Sequence, residues 1–540
     1  MINFRTLGAL AGKLRPALRT RVVLPVIVIM LVGAAAPTTL RAIGPNVAIR
    51  GLEDGALISK AALQELSVAI TSSDPSTLGE ITLELDGTKI EPRRAGDRLV
   101  FTPSHLDEGE HQLSASLSGA LPFSGMTVTR SFTVDTTPPK LDLPSSVEAS
   151  IAKPVTLRGS VDGATAVTAE GKAVGVSKGA FAVRFPRPPG SVKVVATDAS
   201  GNRAEKKVRV VVDHPPMQAV HMSAISWASD ELREPILEMA RQGRINAVEV
   251  DIKGESGQIG YDSDVPLAEK IGADKGYYDA RKMIKKLHSL GVRVVGRLVC
   301  FRDPVLAQAS WEGGHKDRVV QTPSGGAYGA GSSYGEMTFT NPANPAVRQY
   351  NIDLAVEAAK LGFDDILYDY VRRPEGPASS MEFPGLKGSP SEAITSFVAA
   401  TQEKIRPHGA FLGLSVFGVA INRPKQMAQN IPALAKHSDY ISPMVYPSHW
   451  GPGEYGVSDP NSQPYKIVKR SLADYVETVE GTDAEVIPWL QDFSLGVTYG
   501  PDEVRAQIEA AKELGLDSFL LWNAGVRYHS EALTPDKAAG

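Results

Sequence analysis

From Met217 onward the chain carries eight short apolar runs separated by helix-like stretches, and this alternation restricts the possible folds more than any other feature. The runs are His221 to Trp227, Ala247 to Ile252, Val292 to Phe301, Asp365 to Val371, Phe411 to Phe417, Tyr440 to Tyr446, Val486 to Phe493 and Ser518 to Trp522. Apolar runs of this kind suit parallel strands covered on both faces. Tyr278 to Leu290, Ala346 to Leu361, Ser391 to Ile405 and Pro501 to Leu514 carry helical patterns between them. Gly291, Gly362 and Gly515 stand just past helices, where a left-handed cap favours glycine. Eight consecutive βα units predict a (β/α)8 TIM barrel over residues 217–540. An open doubly wound sheet fits less well, because no phosphate-binding turn accompanies the units. The Gly-rich tract Gly325 to Gly335 lacks the strand-turn-helix context of a nucleotide site and reads as a loop.

The chain has 540 residues, too many for one core, and the part before the barrel has a different texture. Residues 44–139 read as a β-sandwich: Ile81 to Leu85 alternates apolar and polar, Asp86-Gly87 supplies a hairpin turn, and Ser131 to Val134 closes the pattern. Residues 140–213 read as a second β unit, with strands at Val155 to Gly159, Val192 to Ala196 and Lys207 to Val212. Neither unit gathers histidines, cysteines or paired carboxylates, so both read as spacers or weak binding modules. His214-Pro215-Pro216 then forms a stiff linker. Residues 1–43 are expected to be an export signal or membrane anchor: Lys13, Arg15, Arg19 and Arg21 precede an apolar run from Val22 to Ala36. The run is short of the ~20 residues of a membrane span, and Pro37 follows the Ala34-x-Ala36 cleavage pattern directly. Either way the remainder is expected to be exported: secreted, periplasmic or anchored on the outer face of the cytoplasmic membrane. Net charge is −4 without long runs of one sign, which excludes the basic face of a nucleic-acid binder. Cys300 is the sole cysteine, so no intrachain disulfide can form, and it reads as a small buried residue.

In a TIM barrel the chemistry sits at the C-terminal ends of the strands. Three carboxylates stand there, Asp369, Asp251 and Asp492, and glycosidic hydrolysis uses two. All five tryptophans lie in this part of the chain, and Trp227, Trp450, Trp489 and Trp522 fall at or beyond strand ends. Indole faces stack on sugar rings, and the ring N–H can donate to hydroxyls. The expected catalytic residues are therefore Asp369, Asp251 and Asp492. Lys253, Arg297, Arg372, Tyr446, His449, Trp489, Gln491 and Trp522 are expected to bind substrate. Each carboxylate also has a structural reading: Asp369 as partner of Arg372 or Arg297, Asp251 as partner of Lys253, Asp492 as a loop cap. Asp364 and Asp365 enter their strand at the opposite, stability-determining face. No HExxH or other metal-ligand spacing occurs, so no metal or cofactor is expected.

Several segments resemble one family: Asn246 to Lys253 with Ser256-Gly257, Gly296 to Pro304, Asn341-Pro342, Glu357 to Asp365 running into Tyr368-Asp369-Tyr370-Val371-Arg372 and Pro374, Pro443 to His449, and Pro488 to Gln491. In order and spacing they resemble DUF4015, a family of glycoside hydrolase-like bacterial TIM barrels. Many members carry an acid before the Val-Phe-Gly of the fifth strand; here that place is Ser415. The endings Val134-Asp135-Thr136-Thr137-Pro138-Pro139 and Ala196 to Asn202 resemble immunoglobulin-like modules of bacterial surface proteins. Together these resemblances imply two all-β immunoglobulin-like sandwiches followed by a TIM barrel. The expected function is an exported glycosidase acting on an extracellular or cell-envelope polysaccharide by two-carboxylate catalysis. The alternative is a non-catalytic glycan-binding barrel on the envelope.

Overall fold

The computed structural model describes residues 46–118, 125–329 and 338–535. The expected export segment and part of the Gly325 to Gly335 tract lie outside these residues. The chain divides into two compact units, residues up to Leu57 with Ala62–Val134, and Ile58–Ala61 with Asp135 onward.

The first unit is built from a sheet of four strands and one of five, antiparallel in the pairs from Val47–Arg50 to Arg93–Ala95 and from Thr88–Ile90 to Met126–Val134. Strand Ile81–Leu85 turns into Thr88–Ile90 through Asp86 (φ 51°) and Gly87 (φ 75°), the two left-handed positions a tight hairpin requires. The second unit opens with two more sheets, again of four and five strands, spanning Lys140 to Val211. Their pairs are antiparallel except that Ser146–Glu148 runs parallel to Arg203–Val211.

The remainder of the second unit is a closed parallel barrel. Its strands are β1 (Gln218–Met222), β2 (Ala247–Lys253), β3 (Arg293–Val299), β4 (Asp365–Asp369), β5 (Phe411–Phe417), β6 (Tyr440–Met444), β7 (Trp489–Gln491) and β8 (Phe519–Trp522). Each pairs with its neighbours in sequence, and β8 closes on β1. Gly362 (φ 111°) caps helix Pro345–Leu361 in the left-handed region and returns the chain to β4. Among the described residues no helix is long and apolar enough to cross a membrane.

Three strand ends differ from the sequence expectation. The first run breaks at Ser223, whose Oγ accepts the Ser226 N–H and starts helix Ala224–Ala228; Trp227 is therefore helical rather than at a strand end. The seventh run splits into Glu485–Val486 and β7 at Pro488, which has no N–H to donate. β4 stops at Asp369, because Tyr370 takes φ 47° and turns the chain.

Two apolar layers hold the barrel. Outward residues such as Val248, Val250, Ile366 and Leu412 pack under the helices. Inward residues, including Ala247, Val295, Leu367 and Phe411, form one cluster with the core of the preceding β sheets, Leu157 and Val194 among them. A buried polar knot lies at the N-terminal ends of the strands. His214 Nε2 is 2.6 Å from Asp365 Oδ1, and Arg293 donates to Asp365 Oδ2 at 2.6 Å. Asp365 is wholly buried as the first residue of β4, and Asp364 accepts from the Val294 N–H; both acids lie at the stability face.

Candidate active site

Strand periodicity places Glu249 and Asp251 of β2, Arg297 of β3 and Asp369 of β4 on the inner surface toward the C-terminal mouth. Arg297 is 1% exposed and organises the others. Its Nε and Nη2 donate to Asp369 Oδ2 at 2.9 and 2.7 Å, and its Nη1 donates to Asp251 Oδ1 at 2.8 Å. Nη2 also bonds Glu255, two residues past β2. The guanidinium carbon lies 5.0 Å from the Trp522 ring centroid. Asp369 Oδ1 accepts the Tyr370 N–H at 2.6 Å, a bond made possible by the left-handed turn there.

Above this group opens a cavity of about 460 Å3. Glu255, Arg297 and Asp369 line it with Tyr370, Arg372, Phe417, Tyr446, His449, Trp450, Trp489 and Trp522. Trp489 meets Trp522 edge-on (5.6 Å, 84°), and its indole N–H donates to Ser415 Oγ at 2.9 Å. Ser415 thus supports an aromatic wall. Arg372 lies against Phe417 and Tyr370 (4.6 and 4.8 Å to the ring centroids) and pairs with Glu375 at 2.8 Å.

Of the residues expected from sequence, Asp369, Asp251, Arg297, Arg372, Tyr446, His449, Trp489 and Trp522 come together here. Three do not. The register shift between Asp251 and Lys253 turns Lys253 outward, where its Nζ donates to Asp303 Oδ2 (2.6 Å) and Asn351 Oδ1 (2.9 Å). Asp492 is wholly buried and accepts two bonds from His529, at 2.5 Å from Nδ1 and 3.0 Å from the backbone N–H, pinning the segment after β8. Gln491 is also buried and ties two loops: its Oε1 accepts the Ser448 N–H and its Nε2 donates to Phe493 O. Asp251 pairs with Arg297 rather than with Lys253.

Sequence reasoning left out Glu255, Glu249 and His221. The alternation Glu249-x-Asp251 on one strand was a usable signal, since both acids must share a face. His221 Nδ1 bonds Glu249 Oε2, and its ring stacks on Trp522 (4.1 Å, 24°). His221, Glu249 and Asp251 each offer a donor atom, all within 4.8 Å of one another, a spacing that could hold a metal ion. His221 and Glu249 also hydrogen-bond directly, Nδ1 to Oε2, while Glu249 Oε1 has no partner among the described residues.

Environment separates the carboxylates. Burial pushes Asp251 up to about 6, although Arg297 and His221 oppose it. Burial also acts on Glu255, but Arg297 overrides it and holds that carboxyl down at about 2. Burial drives Glu249 well above the usual carboxyl range and His221 down to about 4, so each favours its neutral form.

A closed eight-stranded parallel barrel with its polar side chains gathered at the C-terminal mouth defines a TIM barrel. The family model DUF4015, described as "Putative glycosyl hydrolase domain", matches residues 219–528, and the chain belongs to this family. No curated protein matches the chain. Among solved structures, a hypothetical protein from Ruminiclostridium thermocellum ATCC 27405 is 34% identical, over 36% of this chain and 96% of that one, with a TM-score of 0.32. The PgaB (BpsB) glycoside hydrolase domain from Bordetella bronchiseptica is 13% identical, over 58% and 95%, with a TM-score of 0.43. An endo-1,4-beta-D-mannanase from Thermotoga petrophila RKU-1 is 13% identical, over 57% and 88%, with a TM-score of 0.37.

Proposed function

We propose that this protein is an exported glycosidase that cleaves a polysaccharide of the cell envelope or extracellular matrix. One observation carries the reading: three carboxylates converge on buried Arg297 beneath a tryptophan-lined cavity at the barrel mouth. Asp251 and Asp369 are bonded to one guanidinium, which brings together two carboxylates of the kind that glycosidic hydrolysis uses as a pair. Asp251, raised to about 6, holds a proton near neutrality and acts as general acid toward the glycosidic oxygen. Asp369, ion-paired to Arg297, acts as nucleophile or as base toward water. Glu255 anchors Arg297 from the cavity wall. Tyr446, Trp489 and Trp522 offer stacking faces for sugar rings, and Arg372 and His449 border them.

The basic and apolar N-terminal segment supports export, as a cleaved signal or an uncleaved anchor. The paired, mainly antiparallel sheets before the barrel, and the Asp135-Thr136-Thr137-Pro138-Pro139 junction, support two immunoglobulin-like modules, over 44–139 and 140–213, that hold the barrel on its polysaccharide.

The test is release of new reducing ends from cell-wall, capsular and exopolysaccharide preparations by the purified full-length protein, with Asp369→Asn alongside. Release by the natural protein and not by the variant is expected. Glycan binding without release by either would favour the non-catalytic barrel; release unchanged in the variant would remove Asp369 from the mechanism.

A further inference from the structure

Strands β1 and β2 bring an imidazole and two carboxylates to one spot. His221 of β1 stands directly across from Glu249 in the parallel pairing, and Asp251, two residues on, shares the inward face of Glu249. The donor atoms of all three lie within 4.8 Å of one another. Paired strands of the barrel wall, not a loop, set this spacing. A second observation points to a ligand. Glu249 is wholly buried, and while its Oε2 bonds His221 Nδ1, its Oε1 has no partner among the described residues. A buried carboxylate oxygen without a donor is costly, and a bound cation removes the cost. Neither basic side chain of the neighbouring strands meets this need. Arg297 directs its hydrogen bonds to Asp251, Glu255 and Asp369. Lys253 is turned outward onto Asp303 and Asn351. Glu249, Asp251, Glu255 and Asp369 thus share one guanidinium, an excess of three negative charges when all are ionised, and a divalent ion would offset two of them.

We propose that His221, Glu249 and Asp251 bind a divalent first-row metal ion such as Zn2+, and that the bound ion withdraws Asp251 from catalysis. One imidazole and two carboxylates, with no thiolate, suit Zn2+; Ca2+ takes six or more oxygens, and Mg2+ keeps several of its waters. Metal–ligand bonds of ~2.0–2.2 Å set neighbouring ligand atoms roughly 3–3.5 Å apart. The three side chains therefore need only small shifts, in which the His221–Glu249 hydrogen bond gives way to two bonds to the ion. Groups that orient the ligands are in place. Trp522 stacks on the His221 ring (4.1 Å, 24°), and Arg297 Nη1 holds Asp251 Oδ1 at 2.8 Å, which leaves Oδ2 for the ion. Trp522 and Arg297 also line the cavity, so an ion has a path from solvent. The effect on catalysis rests on the reading of Asp251 as general acid: a carboxylate bound to a metal has no proton to give.

The experiment is a Co2+ titration of the chelator-treated full-length protein near neutral pH, read by visible absorption, which needs no substrate. A band saturating at one ion per chain is expected, displaced by Zn2+ and untouched by excess Mg2+ or Ca2+. Glu249→Gln and His221→Asn, checked for folding by circular dichroism, should each weaken Co2+ binding by about 100-fold or more. No saturable binding by the natural protein would overturn the proposal, and so would full binding by either folded variant. Should a variant not fold, X-ray absorption of the zinc-loaded natural protein decides: a single imidazole among oxygen ligands supports the site, and two or more imidazoles overturn it. In the glycan-release assay Zn2+ should inhibit at the concentration at which it binds, and a chelator should restore activity. If the ions bind as expected but release continues undiminished, the site stands and Asp251 is not the acid. If no glycan is cleaved, the titration still decides the site, and the glycosidase reading fails separately.

Discussion

Arg297 determines what each carboxylate around it can do. A single cation cannot neutralise three acids equally, so Glu255 is held ionised while buried Asp251 retains a proton up to about pH 6. Asp369→Asn is expected to lower kcat/KM by about 1000-fold or more, or about 4 kcal/mol of transition-state stabilisation, as initial rates on the released-sugar assay would show. Asp251 also makes a stability prediction. The folded state binds its proton more tightly than the unfolded chain, whose carboxyl titrates near 3.8, so the stability it contributes falls as pH rises from about 4 to about 6. Asp251→Asn should therefore melt higher than the natural protein above about pH 6, with the gain vanishing below about pH 4. Glu255 runs the other way: its folded value is depressed, so its contribution is present above about 4.5 and lost as pH falls toward 2. Glu255→Gln should melt lower at neutral pH, and thermal scans across pH separate the two cases.

At the scale of the element, β2 shows where a pattern is readable and where it stops. Glu249 and Asp251 face inward because strand side chains alternate. Lys253 should follow them, but the register shift after Asp251 sends it into the layer between strand and helix, against Asp303 and Asn351. Nothing in the order of residues announces that shift. Lys253→Met should destabilise the barrel by about 3–5 kcal/mol in denaturant unfolding, because buried Asp303 loses its cation, and should leave KM unchanged. Asp492 teaches the same lesson. It stands at the strand end that sequence marks as catalytic, yet His529, 37 residues onward, claims both its oxygens.

At the scale of the molecule, the barrel interior and the core of the β sheets over Lys140 to Val211 form one apolar cluster. Arg209 of the last of these strands pairs with Asp483 beside the barrel at 3.1 Å, and His214 between them closes on Asp365. A barrel beginning at Met217 loses His214 and exposes that apolar surface. It should melt below the full chain and bind a hydrophobic dye more strongly. Eight strands, their order and the mouth that carries the chemistry were legible in the sequence, because apolar periodicity is a local property and parallel strands with short connections leave few ways to close. Asp369, Trp489 and Trp522 were legible for the same reason, as residues at strand ends. The choice of partners was not. That Arg297 serves Asp251, Asp369 and Glu255 at once, that Lys253 and Asp492 are committed elsewhere, and that Glu249 meets His221 all depend on distances between strands and loops far apart in the chain. Burial sets the charge of those groups, and burial exists only once the barrel has closed.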